Sequence, residues 1–397
     1  MGNVLRTMPW LEAGRAKGYL RLLALLNVAM LLLLLATSHG GIDRNGFLLG
    51  SDFISFWTTG RMLHAGTDIY DGGAHIAAQR AYYASDSGYT AFFYPPSFLP
   101  FCWPLGLTGY FPALAAWLTG TGTVWIMALR PWWREAKIGL PLWLLVLAFP
   151  AVPIVITHGQ TALLVAGLLG QGAWLVPQRP VLAGVLFGIA TIKPQFGLLV
   201  PLALLLTREW KVIGTAAATA LVLGSLAAVA FGTDVWMQWL TASGRAQSAM
   251  EAGAVPFGKM ATPFSAARLL GVPVDMAYVL QVIVALGTAL GIALCCRGRP
   301  WTAGTGAAVL AGAPLVTPFA LDYDMVLLAF PLLWLAGQGM QRGFAPYEKL
   351  AIALAVAAPA FARPLALNAG IPMMPLVLIL LYAMVVGRAI SEDREVS

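Results

Sequence analysis

One carboxylate stands where it could do chemistry at a membrane surface. Asp52 precedes Phe53, Phe56, Trp57 and Gly60, a spacing that lines one face of a helix. Two roles are open to it, and they do not exclude each other. As a helix cap it accepts from backbone N–H groups. As a general base it takes the proton from a sugar hydroxyl while that oxygen attacks. The same polar stretch, 46–96, also holds Asp68, Asp71, Asp86, Arg61, Arg80, His64 and His75. Arg61 can pair with a loop carboxylate or face a phosphate. Tyr70 leads into Asp71, Gly72 and Gly73, which read as a turn or a cap. Tyr94, Pro95 and Pro96 return the chain to apolar sequence, and proline suits the first turn of a helix. His64 and His75 lack the spacing of zinc ligands, so no metal is expected.

A second candidate lies inside an apolar run. Lys193 falls near the middle of 181–206. A buried ammonium needs an anionic partner. Pro194 removes a backbone N–H and opens the helix beside it. Broken helices that line cavities are where membrane proteins bind polar ligands. Lys193 therefore meets either a ligand phosphate or a structural carboxylate, with Asp322 or Asp324 available. Gln195, His158 and Gln160 are further polar groups of the same cavity. Asp322 and Asp324 flank Tyr323 between two apolar runs. They cap the next helix, or they close the cavity by facing Lys193 or a substrate hydroxyl.

These groups need a scaffold, and the composition says which kind. Of 397 residues, 59% are hydrophobic and only 10% are charged, against roughly a quarter in soluble domains. Mean hydropathy is +0.78. Runs of about 20 apolar residues, enough for a bilayer core, recur along the chain. The reading is an all-α polytopic integral membrane protein, one transmembrane domain over 1–397 with about twelve transmembrane helices (11–13). The net charge of +7 comes mostly from short connections and carries no basic stripe, so no nucleic-acid partner is expected. Cys102, Cys295 and Cys296 lie in or at the ends of apolar runs and suggest no disulfide framework. The first run, 20–36, loosely fits a signal peptide but is long for one, which favours an uncleaved first helix.

Two polar stretches are long enough to fold over the bundle, 39–95 and 232–273, each with aromatic residues suited to interfacial helices. Lys and Arg placement puts the N-terminus, 207–211, Arg297, Arg299, 338–349 and the charged tail on the cytoplasmic side. Both long stretches then lie on the outer face. The basic turn 130–137 admits two placements. It lies outside if 181–206 is one helix and 96–129 crosses twice. It lies inside if 181–206 is a hairpin of two half-helices and 96–129 crosses once.

Several of these pieces, taken in order, resemble a known family. Ser51, Asp52 and Phe53 with Trp57, Gly60 and Arg61 come first, followed by Ile69, Tyr70 and Asp71, and then by Phe93 to Pro96. His158, Gly159 and Gln160 continue the pattern, as do 179–184 and Ile192, Lys193, Pro194 and Gln195. Together they resemble glycosyltransferase family 87, polyprenol-phosphate-mannose-dependent mannosyltransferases of the C-type superfamily. The resemblance implies a polytopic fold whose site faces outward from the inner (cytoplasmic) membrane, on its periplasmic side. It implies inverting transfer of mannose or another hexose or pentose from a polyprenyl-phosphate donor to a lipid or glycan acceptor. It implies Asp52 as base and Lys193 at the donor phosphate, with no nucleotide, metal or other cofactor. One departure stands out: no histidine follows His158, whereas mannosyl-transferring relatives carry histidines in the loop that here reads Leu321 to Asp324. The alternative is a transporter or flippase for a lipid-linked or sugar substrate. It shares the broken helix and the buried lysine, but leaves the two long stretches and Asp52 unexplained.

Overall fold

In hydrocarbon every backbone N–H and C=O must find a partner within the chain, and helices supply one segment by segment. The computed structural model describes residues 2–83 and 90–391. Asp86 and the charged tail at 392–397 lie outside the described residues. Among the described residues the protein is helical, with three isolated bridges and no strand.

Seven helices are long and apolar enough to cross a membrane: Ala13–Thr37, Tyr110–Ala136, Trp210–Phe231, Val274–Cys296, Asp322–Arg342, Glu348–Ala369 and Met373–Ser391. Four shorter apolar helices accompany them, Ala162–Leu175, Pro180–Ala190, Pro194–Leu206 and Ala303–Val316. Leu142–Ala148 and Ala151–His158 are two further short pieces, separated at Phe149 and Pro150. The expectation of about twelve spans thus stands at seven full-length helices and a set of short ones. The short ones are informative, because their broken ends gather in one place.

The bundle has two distinct ends. At one, the Tyr347 N–H donates to the Arg6 carbonyl and Lys349 to Met8 and Leu11. There Gln341 donates to the Glu135 carbonyl, and Arg388 pairs with Glu348 at 2.7 Å. The turn after Ala136 therefore shares an end with the N-terminus and with 338–349. The opposite end holds both long polar stretches. Tyr110 starts the helix that finishes at Ala136, and its hydroxyl donates to the Leu49 and Gly50 carbonyls.

The two placements of the 130–137 turn differ in how 96–129 and 181–206 run. Residues 96–107 form three short turns broken by Pro96, Pro100 and Pro104, far shorter than the roughly 20 residues of a spanning helix. They lie beside the Phe53–Ala65 helix, backbone on backbone. A Cβ on Gly60 would sit 2.3 Å from the Cys102 carbonyl oxygen, and one on Gly106 would sit 2.4 Å from Gly60. The 180–206 segment is a hairpin. Gly184 faces Val212 and Thr215, and Gly188 faces Ala216 and Thr219, so Pro180–Ala190 runs parallel to Trp210–Phe231. The chain between must return, and Leu199–Leu206 is that return. Lys193 and Pro194 form its tip.

The long stretches fold over the site end. The first holds the helices Phe53–Ala65 and Gly72–Tyr82, and the second holds Val235–Glu251 and Pro263–Leu269. They are fastened together: Trp239 donates to the Phe93 carbonyl at 3.1 Å, and Arg245 to the Tyr70 carbonyl at 2.8 Å.

Candidate active site

Asp52 sits at the start of the Phe53–Ala65 helix, yet its side chain makes no capping hydrogen bond. Its own N–H donates to the His158 carbonyl at 2.9 Å, which ties it to the end of Ala151–His158. The carboxylate instead accepts from Gln160 Nε2 at 2.7 Å. Of the two roles open to Asp52, the cap is not the one its side chain takes.

Gln160 is itself oriented. Its Oε1 accepts from the Tyr94 hydroxyl at 2.9 Å and from the Thr161 N–H at 3.1 Å, which directs its amide hydrogens to Asp52. Burial, with the carboxylates Asp324 and Asp52 nearby, pushes the Tyr94 hydroxyl well above its usual range. It stays protonated and remains a donor. The Tyr94 backbone is held by Tyr70, whose hydroxyl donates to the Tyr94 carbonyl at 2.7 Å.

His158 lies on the other side. Its Nδ1 is 2.8 Å from the Ile154 carbonyl, so the proton belongs on Nδ1 and Nε2 is left open. Its ring is 5.7 Å from that of Tyr323. The Lys193 ammonium lies 5.2 Å from the Tyr323 ring centre and pairs with Asp324. Both partners are almost fully buried. Of the two readings of Lys193, the structure places it with a carboxylate. The other Asp324 oxygen accepts from the Leu321 N–H at 3.0 Å. Asp322 accepts from the Tyr323 N–H and faces Arg363 at 3.3 Å.

Three chain breaks therefore converge here: 158–161, the 191–198 hairpin tip and 317–324. Each exposes polar backbone and side chains where helices stop, at the end covered by the two long stretches. Asp52, Tyr94, His158, Gln160, Lys193, Tyr323 and Asp324 are connected through this region, and Asp322 adjoins it. Gln195 follows the same break and is half-buried, with no hydrogen bond among the described residues. Arg61 is not part of the group. It is exposed, with its guanidinium 5.8 Å from the Trp57 ring centre. Asp71 caps Gly72–Tyr82 by accepting from the Ala74 N–H at 2.8 Å, and it too is exposed. Tyr70 supports the site through the Tyr94 backbone rather than lining it. His64 and His75 join no metal cluster, and none of His, Cys, Asp or Glu forms one among the described residues.

Two cations at this end were not singled out in the sequence, Lys259 and Arg363. Arg363 had a readable signal, a charge between Pro359 and Pro364 in an apolar helix. Lys259 had none beyond its place in the second long stretch.

The model of glycosyltransferase family 87 matches residues 92–318, more than half of the chain. The match takes in Tyr94, His158, Gln160, Lys193 and Lys259, and Asp52 and Asp322 lie on either side of it. No curated protein and no solved structure matches. The matched stretch supplies two of the three convergent breaks and the start of the third, and by it the chain belongs to glycosyltransferase family 87, a family of membrane glycosyltransferases.

Proposed function

We propose that the protein transfers a sugar from a polyprenyl-phosphate donor to a lipid or glycan acceptor on the outer face of the membrane, with Asp52 as general base. The acceptor hydroxyl oxygen forms the new bond to the anomeric carbon. The bond from that carbon to the phosphate oxygen breaks on the opposite face, and configuration inverts. The hydroxyl proton goes to Asp52, and the bond pair leaves with the polyprenyl phosphate. The leaving phosphate is already ionised, so it needs charge stabilisation rather than a proton.

The observation that carries this reading is the Asp52 carboxylate itself. It is released from capping and aimed by Gln160 into the convergence of three breaks. Such positioning matters because a base must reach the proton at hydrogen-bond distance. Lys193 in this reading acts through Asp324, holding two breaks together around the donor. The basic residues at the opposite end support an outer placement for the site. Membrane lipids surround the apolar helices, and the donor's tail lies among them.

Two experiments test the reading. Purified protein given radiolabelled polyprenyl-phosphate sugars and a total lipid extract should form a labelled product with one donor. No product with any of them, together with saturable passage of a lipid-linked sugar across vesicles, would favour a flippase. A cysteine replacing exposed Gln247, in the second long stretch, should react with an impermeant reagent from outside cells only. Reaction from the cytoplasmic side alone would reverse the orientation.

A further inference from the structure

Lys259 and Arg363 play no part in the transfer chemistry as described so far, yet both lie at the same end of the bundle. They line one cleft with Asp322, and its walls include Met325, Pro359 and Met373. Among the described residues the Lys259 ammonium has no hydrogen bond or ion pair, although the residue is half-buried. Burial lowers the proton affinity of its ammonium, and the neighbouring Arg363 charge lowers it further, while Asp52 and Asp322 oppose this. Arg363 has one carboxylate contact, 3.3 Å to Asp322, longer than the 2.7–2.9 Å usual for such a pair. Among the described residues its other N–H donors have no hydrogen-bond partner, so they can meet an incoming acceptor. Two cations side by side repel each other, and an anion between them removes that repulsion.

We propose that Lys259 and Arg363 form a cradle for the anionic oxygens of a phosphate ester, with Arg363 giving up its Asp322 contact as the anion arrives. The proposal rests on the lipid-phosphate donor reading above. It goes further by assigning the phosphate to two residues other than Lys193, whose charge Asp324 already meets. The guanidinium offers a flat fork to two phosphate oxygens, and the ammonium adds a point charge. Free room in the cleft is only about 20 Å³, little more than a water occupies, so the flexible Lys259 side chain must move as the anion enters. The methionine and proline walls suit the first units of an apolar chain attached to the phosphate. Lys259 also feels the Asp52 charge, which places the cradle within electrostatic reach of the base. Release of Arg363 leaves the free Asp322 oxygen to accept from a sugar hydroxyl. Donor binding would thereby set up a sugar contact that the empty site lacks.

Binding of three probes to the purified full chain tests this: a polyprenyl phosphate, the corresponding polyprenol and inorganic phosphate. The polyprenyl phosphate should bind the wild type. Its affinity should fall at least about tenfold in Lys259→Gln and in Arg363→Gln, the loss expected from one charged hydrogen bond. Lys259→Arg should retain most of it, and polyprenol should bind all forms alike. Competition by inorganic phosphate would show that the cradle reads the anion alone; its failure to compete would show that the cradle reads a lipid headgroup and needs the chain. Lys259→Gln is the deciding variant, because among the described residues the Lys259 ammonium has no polar partner whose loss could disturb the fold. Equal binding of the polyprenyl phosphate to wild type and Lys259→Gln would overturn the cradle and leave the donor reading standing. No binding of either phosphate to a wild type that transfers sugar from another donor would overturn both.

Discussion

Lys193 and Asp324 come from two different chain breaks, 131 positions apart, and meet as a buried ion pair. One belongs to the tip of the 180–206 hairpin and the other to the turn before Ala329–Arg342. Neither break is stable alone, since each frees backbone groups from helical pairing. The pair joins them beneath the site. Removing one partner of a buried pair leaves an uncompensated charge, at about 3–5 kcal/mol. Lys193→Met and Asp324→Leu should each lower thermal stability in detergent sharply. The double variant should recover a large part of the loss, because no lone charge remains. Additive losses in the double variant would show that the pair is not what joins the breaks.

Gln160 is the aiming device for Asp52. Gln160→Ala removes the 2.7 Å contact and should lower kcat by roughly ten- to a hundredfold, with KM little changed. Tyr94→Phe should give a smaller loss of the same kind, since the Thr161 N–H still restrains Gln160. A rise in KM with kcat unchanged would assign Gln160 to substrate binding instead.

The close backbone contact between Phe53–Ala65 and 96–107 fixes where both Asp52 and Tyr94 stand. Gly60→Ala would place a methyl group 2.3 Å from the Cys102 carbonyl oxygen, where rigid backbone cannot yield cheaply. A destabilisation of about 1–3 kcal/mol is expected from such overpacking. Activity should fall further than stability accounts for, because the two segments carrying the site are pushed apart. Gly66→Ala offers a contrast. It has open space but a φ of +66°, so it should strain the turn without moving Asp52. Kinetics and melting curves on both variants separate the effects.

His75 gives the first long stretch a dependence on pH. It is buried and donates through Nε2 to Thr59 at 3.1 Å, while Nδ1 accepts from Gln79 at 2.9 Å. Burial lowers its pKa from 6.5 to about 4. The folded state therefore keeps the ring neutral at pH values where the unfolded chain has already taken up a proton. Its contribution is fully present above about pH 6.5 and is lost as pH falls towards 4, up to roughly 3 kcal/mol at about 1.4 per unit. Melting temperature measured across that window should decline more steeply for wild type than for His75→Gln. Parallel slopes would mean that the ring is not buried neutral.

Much of the scaffold could be read from composition and from where charges interrupt apolar runs. Lys193 announced its own break, because a lysine followed by a proline in such a run marks a point where a regular helix cannot continue. In sequence, a hairpin over 181–206 is one of two readings. Its direction depends on Gly184 and Gly188 packing against a helix some thirty positions later, which no local pattern encodes. The place of Asp52 makes it a candidate in sequence, but its side chain's contact is with Gln160, 108 positions away. Arg61 and Asp71 misled because loop charges look alike in sequence whether they face a cavity or solvent. Lys259 was invisible for the opposite reason: its meaning comes only from Arg363 and Asp322 beside it.

The most direct test of the account is sugar transfer by Asp52→Asn, measured beside wild type with the same polyprenyl-phosphate donor. Asparagine keeps the size of the side chain and can still hydrogen-bond Gln160, but it cannot take a proton. Transfer should fall by about 10²- to 10⁴-fold, the usual contribution of a general base, with donor binding and melting temperature nearly unchanged. Transfer within a few-fold of wild type would contradict the assignment of Asp52 as the base and, with it, the chemistry proposed for the site.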